Sequence, residues 1–203
     1  MTHALVLNCT LKPSPAASSS ELLAQQVLDA LAAYDVSGEI VRVVDFDVKP
    51  GVEADMGEGD EWPGIREKVL VADILVFATP TWMGNMSSVA QRTLERLDAE
   101  LSETDAEGRP ILAGKVAVAA VVGNEDGAHA ITAALYQGLG DVGFTIPSQG
   151  GVYWNGEAMH TTDYNDLPET PDKVPGTTQT VARHAAHLAK LLAAQPYPAP
   201  KNG

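Results

Sequence analysis

The chain has 203 residues, with 27 Asp and Glu against 13 Lys and Arg, and so carries a net charge of −14. That charge argues against nucleic acid, whose phosphates need clustered cations, and against anionic membrane surfaces. Hydrophobic residues make up 45% of the sequence, enough for a sizeable core, and the single cysteine, Cys9, rules out a disulfide within the chain. No run approaches membrane-spanning length, and MTHALVLNCT has no basic segment followed by a signal-like apolar stretch. A cytoplasmic protein is expected, in which the sequons at Asn8 and Asn85 carry no weight.

Ala4 to Cys9 (ALVLNC) reads as a buried strand and leads into TLKPSPAASSS, a segment of hydroxyls, two prolines and Lys12. Leu22, Leu23, Val27, Leu28 and Leu31 then recur at helical spacing, with Ser18, Ser19 or Ser20 as N-cap and Glu21 in the first turn. Gly38 is expected to break the chain before a strand over Glu39 to Val44. Asp45 to Glu61 reads as a long acidic loop, of a length that often marks function. Trp62-Pro63 opens a short helix to about Val71.

Ile74 to Ala78 has the length and β-rich make-up of a strand buried on both faces, and Thr79-Pro80 is expected to close it. Trp82 and Gly84 follow in a loop, and Ser87-Ser88 can cap a helix running to about Leu97. Lys115 to Val122 is a third apolar run without alternation. It ends in GNEDGAH before a helix from about Ala128 to Leu139. Phe144 to Ile146 and Gly151 to Tyr153 flank Pro147 and suggest a broken last strand. Asn155 to Gly176 reads as polar loop and Thr177 to Ala194 as the last helix, with a frayed tail beyond.

Five strands alternating with five helices argue a doubly wound, five-stranded parallel sheet covered on both faces, order 2-1-3-4-5. Residues 1–195 are expected to form one domain and 196–203 a flexible tail.

Several motifs fail on context. Gly138 to Gly143 matches G-x-G-x-x-G, but it ends a helix and precedes a strand, the reverse of a dinucleotide fingerprint. His184 and His187 share a helix face without a further ligand to complete a metal site. Cys9, at the end of a buried strand, reads as a small apolar filler, and no serine sits in a nucleophile elbow. A phospho-acceptor receiver domain would want an aspartate after Ile74–Ala78, where this chain has Thr79-Pro80.

Three loops remain, those after the first, third and fourth strands, and in the expected order they share one sheet edge. Thr10 to Ser20 (candidate residues Thr10, Lys12, Ser18, Ser19 and Ser20) offers hydroxyls, backbone N–H groups and a helix N-terminus, the equipment for a phosphate. Pro80, Thr81, Trp82, Met83, Gly84 and Asn85 offer an aromatic face and backbone donors, although Trp82 and Met83 could equally be loop packing. Gly123, Asn124, Glu125, Asp126 and Gly127 offer a second turn with a glycine at each end. A phosphate on one side and a flat ring between the other two loops describes flavin mononucleotide, FMN.

At these residues the chain resembles the flavodoxin-like NAD(P)H-dependent FMN reductases, which include quinone and azo reductases. Thr10, Lys12, Ser18 and Ser20 look like the family's phosphate-loop pattern, and Pro80-Thr81-Trp82-Met83-Gly84 looks like its P-x-Y/W-x-G. Two departures are Lys12, where the family has arginine, and Asn124-Glu125-Asp126, where glycines are commoner. The resemblance implies a flavodoxin-like fold, FMN as cofactor and NAD(P)H as co-substrate. It also implies hydride transfer to the flavin and delivery to a small-molecule electron acceptor such as a quinone. No side-chain acid or base is then required, because the flavin carries the chemistry. Backbone N–H groups of the second and third loops would stabilise charge on the ring. Family members commonly form a homodimer or higher homo-oligomer, so Tyr153 and Trp154 either border a neighbour's flavin or pack the last strand. Two rivals stay open: a flavodoxin-type carrier that docks protein partners, and a fold relative without FMN that acts as a binding module.

Overall fold

In the computed structural model, which describes residues 1–157 and 159–201, the three apolar runs lie side by side. They become β1 (Thr2–Asn8), β3 (Ile74–Trp82) and β5 (Val116–Gly123), with β2 (Val36–Arg42) and β6 (Gly151–Asn155) outside them. The order is β2-β1-β3-β5-β6, and every pairing in it is parallel. A two-residue strand, β4 (Asn85–Met86), folds back on the end of β3. With that hairpin set aside, the five main strands follow the expected order.

The period of two along each strand sorts the core into two layers. Ala4, Val6, Ile74, Val76, Val118 and Ala120 face α1 (Ser19–Ala32) and α5 (Lys173–Ala194). Leu5, Leu7, Leu75, Phe77, Ala117 and Ala119 face α2 (Trp62–Val71), α3 (Ser88–Leu97) and α4 (Ala128–Asp141). Because both faces are covered, these strands show no polar alternation. In α1 the buried stripe is Leu23, Ala24, Val27, Ala30 and Leu31, one face of a 3.6-residue period.

Several boundaries depart from expectation. β2 starts at Val36, three residues before Glu39, and ends at Arg42, and Val43–Asp45 is a 3-10 turn. The chain reverses at Asp35, in the left-handed region at φ 63°. Gly38 is therefore not a break. It lies mid-strand opposite Ala4, where a Cβ would come within 2.9 Å of the Ala4 carbonyl and 2.6 Å of Leu28. Nor does Pro80 end β3, which pairs with β5 through Pro80 opposite Val122. β1 has already ended opposite Ala78, so a proline two residues on interrupts no ladder to it. Phe144–Ile146 supplies only a bridge from Thr145 to Val116, and α5 begins at Lys173 rather than Thr177. Gly138 lies inside α4, away from any strand-to-helix turn. Of the tail, Tyr197 bonds Thr145 through its hydroxyl at 3.0 Å, and residues 202 and 203 lie outside the described residues.

The long segment after β2 is held by one buried ion pair. The fully buried side chains of Arg96 and Asp60 meet at 2.8 Å. Arg96 also donates to the carbonyls of Lys49 (3.0 Å) and Glu53 (2.7 Å), and its guanidinium lies 5.5 Å from the Trp62 ring centroid. Burial works against ionisation of Asp60, but hydrogen bonds from Arg96 and from the N–H groups of Met56, Lys49 and Trp62 outweigh it. They hold the carboxyl well below the usual range. Stability from a carboxylate depressed in this way is present above its unfolded pKa and is lost as pH falls through the folded one. Asp60→Asn strands Arg96 without its counter-charge, at a cost of about 3–5 kcal/mol. The expected result is a lower urea midpoint at neutral pH with an unchanged slope, and a smaller further loss on acidification than the parent shows.

Candidate functional site

The ends of β1, β3 and β5 open into one cleft of about 580 Å³, part of it open to solvent. Ten of the sixteen residues singled out in the sequence line it: Thr10, Lys12, Ser18, Ser19, Ser20, Pro80, Thr81, Trp82, Gly123 and Asn124. Five of the other six build the turns that carry these residues. Met83 and Gly84, both at positive φ (52° and 73°), form the two-residue turn that joins β3 to β4. Gly127 presses on that turn, and a Cβ there would lie 2.7 Å from the Gly84 carbonyl. The Met83 N–H donates to Glu125 Oε1 at 2.8 Å, which ties the second loop to the third. Asn85 donates to the Met83 carbonyl at 2.9 Å and so braces the same turn. Asp126 makes no part of the cleft wall.

Ser18 is the N-cap of α1, its Oγ accepting the Glu21 N–H at 3.2 Å. Helix geometry leaves the N–H groups of Ser19 and Ser20 without intrahelical partners, at the positive end of the dipole. The three hydroxyls do not all face outward. Ser20 donates to Asn8 Oδ1 at 2.8 Å and meets Ser18 Oγ at 3.0 Å, while Ser19 bonds the Asn165 side chain. The outer part of the loop is fixed by Asp45, which accepts the Ser14 N–H (2.8 Å) and hydroxyl (2.5 Å). Those two bonds hold the Asp45 carboxyl below its ordinary range.

Ser87 joins the roots of the first two loops. It caps α3 by accepting the Ala90 N–H at 3.0 Å and donates to the Cys9 carbonyl at 2.6 Å. Its own N–H goes to Thr79 Oγ1 at 3.1 Å.

Two lining residues, Asp163 and Tyr164, come from the segment read in the sequence as plain polar loop. Asp163 accepts from Asn124 Nδ2 at 3.0 Å, and Tyr164 donates to Gln26 at 2.7 Å while its ring packs 5.3 Å from that of Trp154. The signal available was an aromatic inside a long polar connection, which compact domains rarely leave idle. Trp154 is thus half-buried and packs against the core beside Tyr164. Tyr153 is exposed and meets His129 Nε2 at 3.0 Å.

The donor set suits a flat ligand with polar ring atoms. Thr81 Oγ1 is buried with no hydrogen-bond partner among the described residues, an arrangement that a ligand atom can complete. Gly123 keeps the wall open beside it, since a Cβ there would lie 2.7 Å from Thr81 Cβ. Trp82 is half exposed at the rim and offers an aromatic face.

The model of the family described as NADPH-dependent FMN reductase matches residues 2–158. The chain belongs to that family. FMN is the family's cofactor and NAD(P)H its co-substrate. The chain is 31% identical over 207 residues to the 8-demethyl-8-aminoriboflavin-5'-phosphate synthase of Streptomyces davaonensis, covering 96% of this chain and 79% of that protein. It is 36% identical over 201 residues, 95% of its own length, to a Mycobacterium bovis protein named divalent metal cation transporter MntH, but spans only 29% of that protein. Among the described residues no helix is long and apolar enough to cross a membrane. Among solved structures, RosB with bound 8-demethyl-8-formylriboflavin-5'-phosphate superposes with a TM-score of 0.88 at 30% identity, over 97% of this chain and 82% of RosB.

Cys9 is fully buried near the first loop. Burial pushes its thiol up to about 12, against a weaker opposing hydrogen bond with Thr93. The thiolate is the reactive form, so Cys9 is an inert filler. Ellman's reagent is expected to release no thionitrobenzoate from the native protein and one equivalent after unfolding in guanidinium.

Proposed function

We propose that this cleft binds FMN and that the protein passes reducing equivalents from NAD(P)H to a small electron acceptor such as a quinone. The observation that carries the reading is the convergence of three loops of complementary chemistry on one cleft, in a chain of the FMN reductase family. In this reading the Ser18–Ser20 end of α1 and Lys12 hold the phosphate. Pro80–Asn85 and Gly123–Gly127 would hold the ring, with the Trp82 side chain and Thr81 Oγ1 among the groups available to contact it. FMN held there would supply the hydride-accepting and two-electron chemistry, and the protein's share would be to bind, orient and tune it. Backbone N–H groups of the two ring loops stabilise negative charge on the ring, so no side-chain acid or base is assigned.

Residues 1–195 act here as one FMN-binding domain with 196–203 as its tail, in a cytoplasmic homodimer or higher homo-oligomer. The exposed Tyr153 is available to border a neighbour's site, whereas Trp154 is committed to Tyr164.

A second reading is favoured by the likeness to RosB and to the aminoriboflavin phosphate synthase: here the flavin is itself the molecule transformed. The two differ in what leaves the enzyme. A reductase oxidises many equivalents of NADH or NADPH with a quinone, in ping-pong fashion, and leaves the flavin's mass unchanged. A flavin-modifying enzyme converts more than one equivalent of FMN per protein to a product of new mass, read by mass spectrometry. If neither nicotinamide bleaches bound flavin anaerobically and its mass stays constant, a one-electron carrier takes the place of both.

The phosphate assignment has its own test. Asp caps a helix as well as Ser does, so Ser18→Asp keeps α1 intact while facing the phosphate with a carboxylate. Two like charges about 4 Å apart repel by roughly 4 kcal/mol at an effective dielectric near 20, or about three decades of affinity. Ser18→Asp is expected to remain folded and lose FMN, while riboflavin, which has no phosphate, binds nearly as in the parent. Equal retention of FMN would place the phosphate elsewhere.

A further inference from the structure

Glu21 stands in the first turn of α1, one residue beyond the serines assigned to the phosphate, and is an acid where a dianion would dock. Its carboxylate is held by two neighbouring side chains. Oε2 accepts from Arg42 Nε at 2.9 Å, pairs with the second guanidinium arm at 2.7 Å, and accepts from Asn8 Nδ2 at 2.9 Å. Arg42 is the last residue of β2, and its side chain is only 9% exposed. The remaining arm, Nη1, donates to the carbonyls of Ala16 (2.8 Å) and Lys12 (3.3 Å) inside the first loop. Asn8 carries the network on to Ser20 and Ser18, whose Oγ caps the Glu21 N–H. The chain of bonds closes on itself around the root of the loop.

Resting on the phosphate reading above, we propose that Arg42 is a positioning residue that sets the preference for a phosphorylated flavin over its unphosphorylated form. It does two things at once. It neutralises Glu21, so that this acid does not offset the positive end of the α1 dipole. It also ties down two loop carbonyls. The C=O and N–H of one peptide unit point in opposite directions, so anchoring the Ala16 carbonyl leaves the Ala17 N–H turned away from Arg42. A loop braced before the ligand arrives loses less conformational freedom on binding. A lysine in its place keeps the charge but loses the planar fork that serves Glu21 and the carbonyls together.

The test compares FMN with riboflavin by fluorescence titration in three variants, each checked for folding by thermal melting. Arg42→Met keeps the apolar stem and removes the donors. It is expected to weaken FMN by about 10- to 100-fold, the range for a hydrogen bond to a charged group, and riboflavin by less than about threefold. Adding Glu21→Gln removes the stranded carboxylate and is expected to recover about tenfold of the FMN loss. The double variant also keeps the comparison available if Arg42→Met alone does not fold. Arg42→Lys is expected to fall between Arg42→Met and the parent. The proposal is overturned if FMN binding is unchanged in Arg42→Met, if both ligands weaken alike, or if Glu21→Gln recovers nothing. Failure of the phosphate reading is a separate result, since it shows as FMN retained by Ser18→Asp.

Discussion

The carboxyl edge of the sheet depends on where three parallel ladders stop. β1 ends at Asn8 opposite Ala78, while β3 continues beside β5 through Pro80 opposite Val122. β1 connects to β2 on one side and β3 is continued by β5 on the other, so the chains leaving β1 and β3 diverge. Divergence at such a switch is what makes a crevice in open α/β sheets. The staggered ends leave polar groups of the first two loops to be satisfied, and Ser87 reaches both, bonding Thr79 Oγ1 and the Cys9 carbonyl. A single cap residue thus carries helix start, strand end and loop root together.

The parts of the fold that could be read from sequence are those with the strongest burial. Ile74–Ala78 and Val116–Val122 are covered on both faces, and their unbroken apolar character follows directly. The edge strand β2 has one neighbour and mixed burial, so its pattern is weak, and Gly38 looked like punctuation. Its true role is to let the strand pass close to Leu28 and to the Ala4 carbonyl, the latter on a strand distant in sequence. Pro80 misled for a related reason. The rule that proline ends a strand presumes a ladder for the missing N–H to break, and on the β1 side none remains there.

The site shows the same division. Its three loops were legible because strand ends and helix starts have local signatures. The covering segment was not, because its anchors are non-local: Asn124 to Asp163 spans 39 positions and Ser19 to Asn165 spans 146. Charge gave the opposite lesson. A net charge of −14 opposes anionic ligands at long range, yet the field at the first loop is governed by groups a few ångströms away. Arg42 pairs with the acid in the first turn of α1, Glu21, and the end of α1 supplies oriented dipoles.

The contact between Gly127 and the Met83-Gly84 turn has a consequence for how such a site can diversify. Main chain meets main chain there, with no side chain between them to grow or shrink. The width of the slot on that side is therefore gauged by a backbone contact, with the Glu125 carboxylate tying the same two loops through the Met83 N–H. Side chains that face into the slot, Trp82 and Asn124 among them, can be exchanged to alter what the slot accepts without altering its bore. Under the proposed function, one scaffold of fixed calibre can in this way serve a range of reactions on the same planar molecule, with selectivity written in the residues that line it and fit written in the glycines behind them.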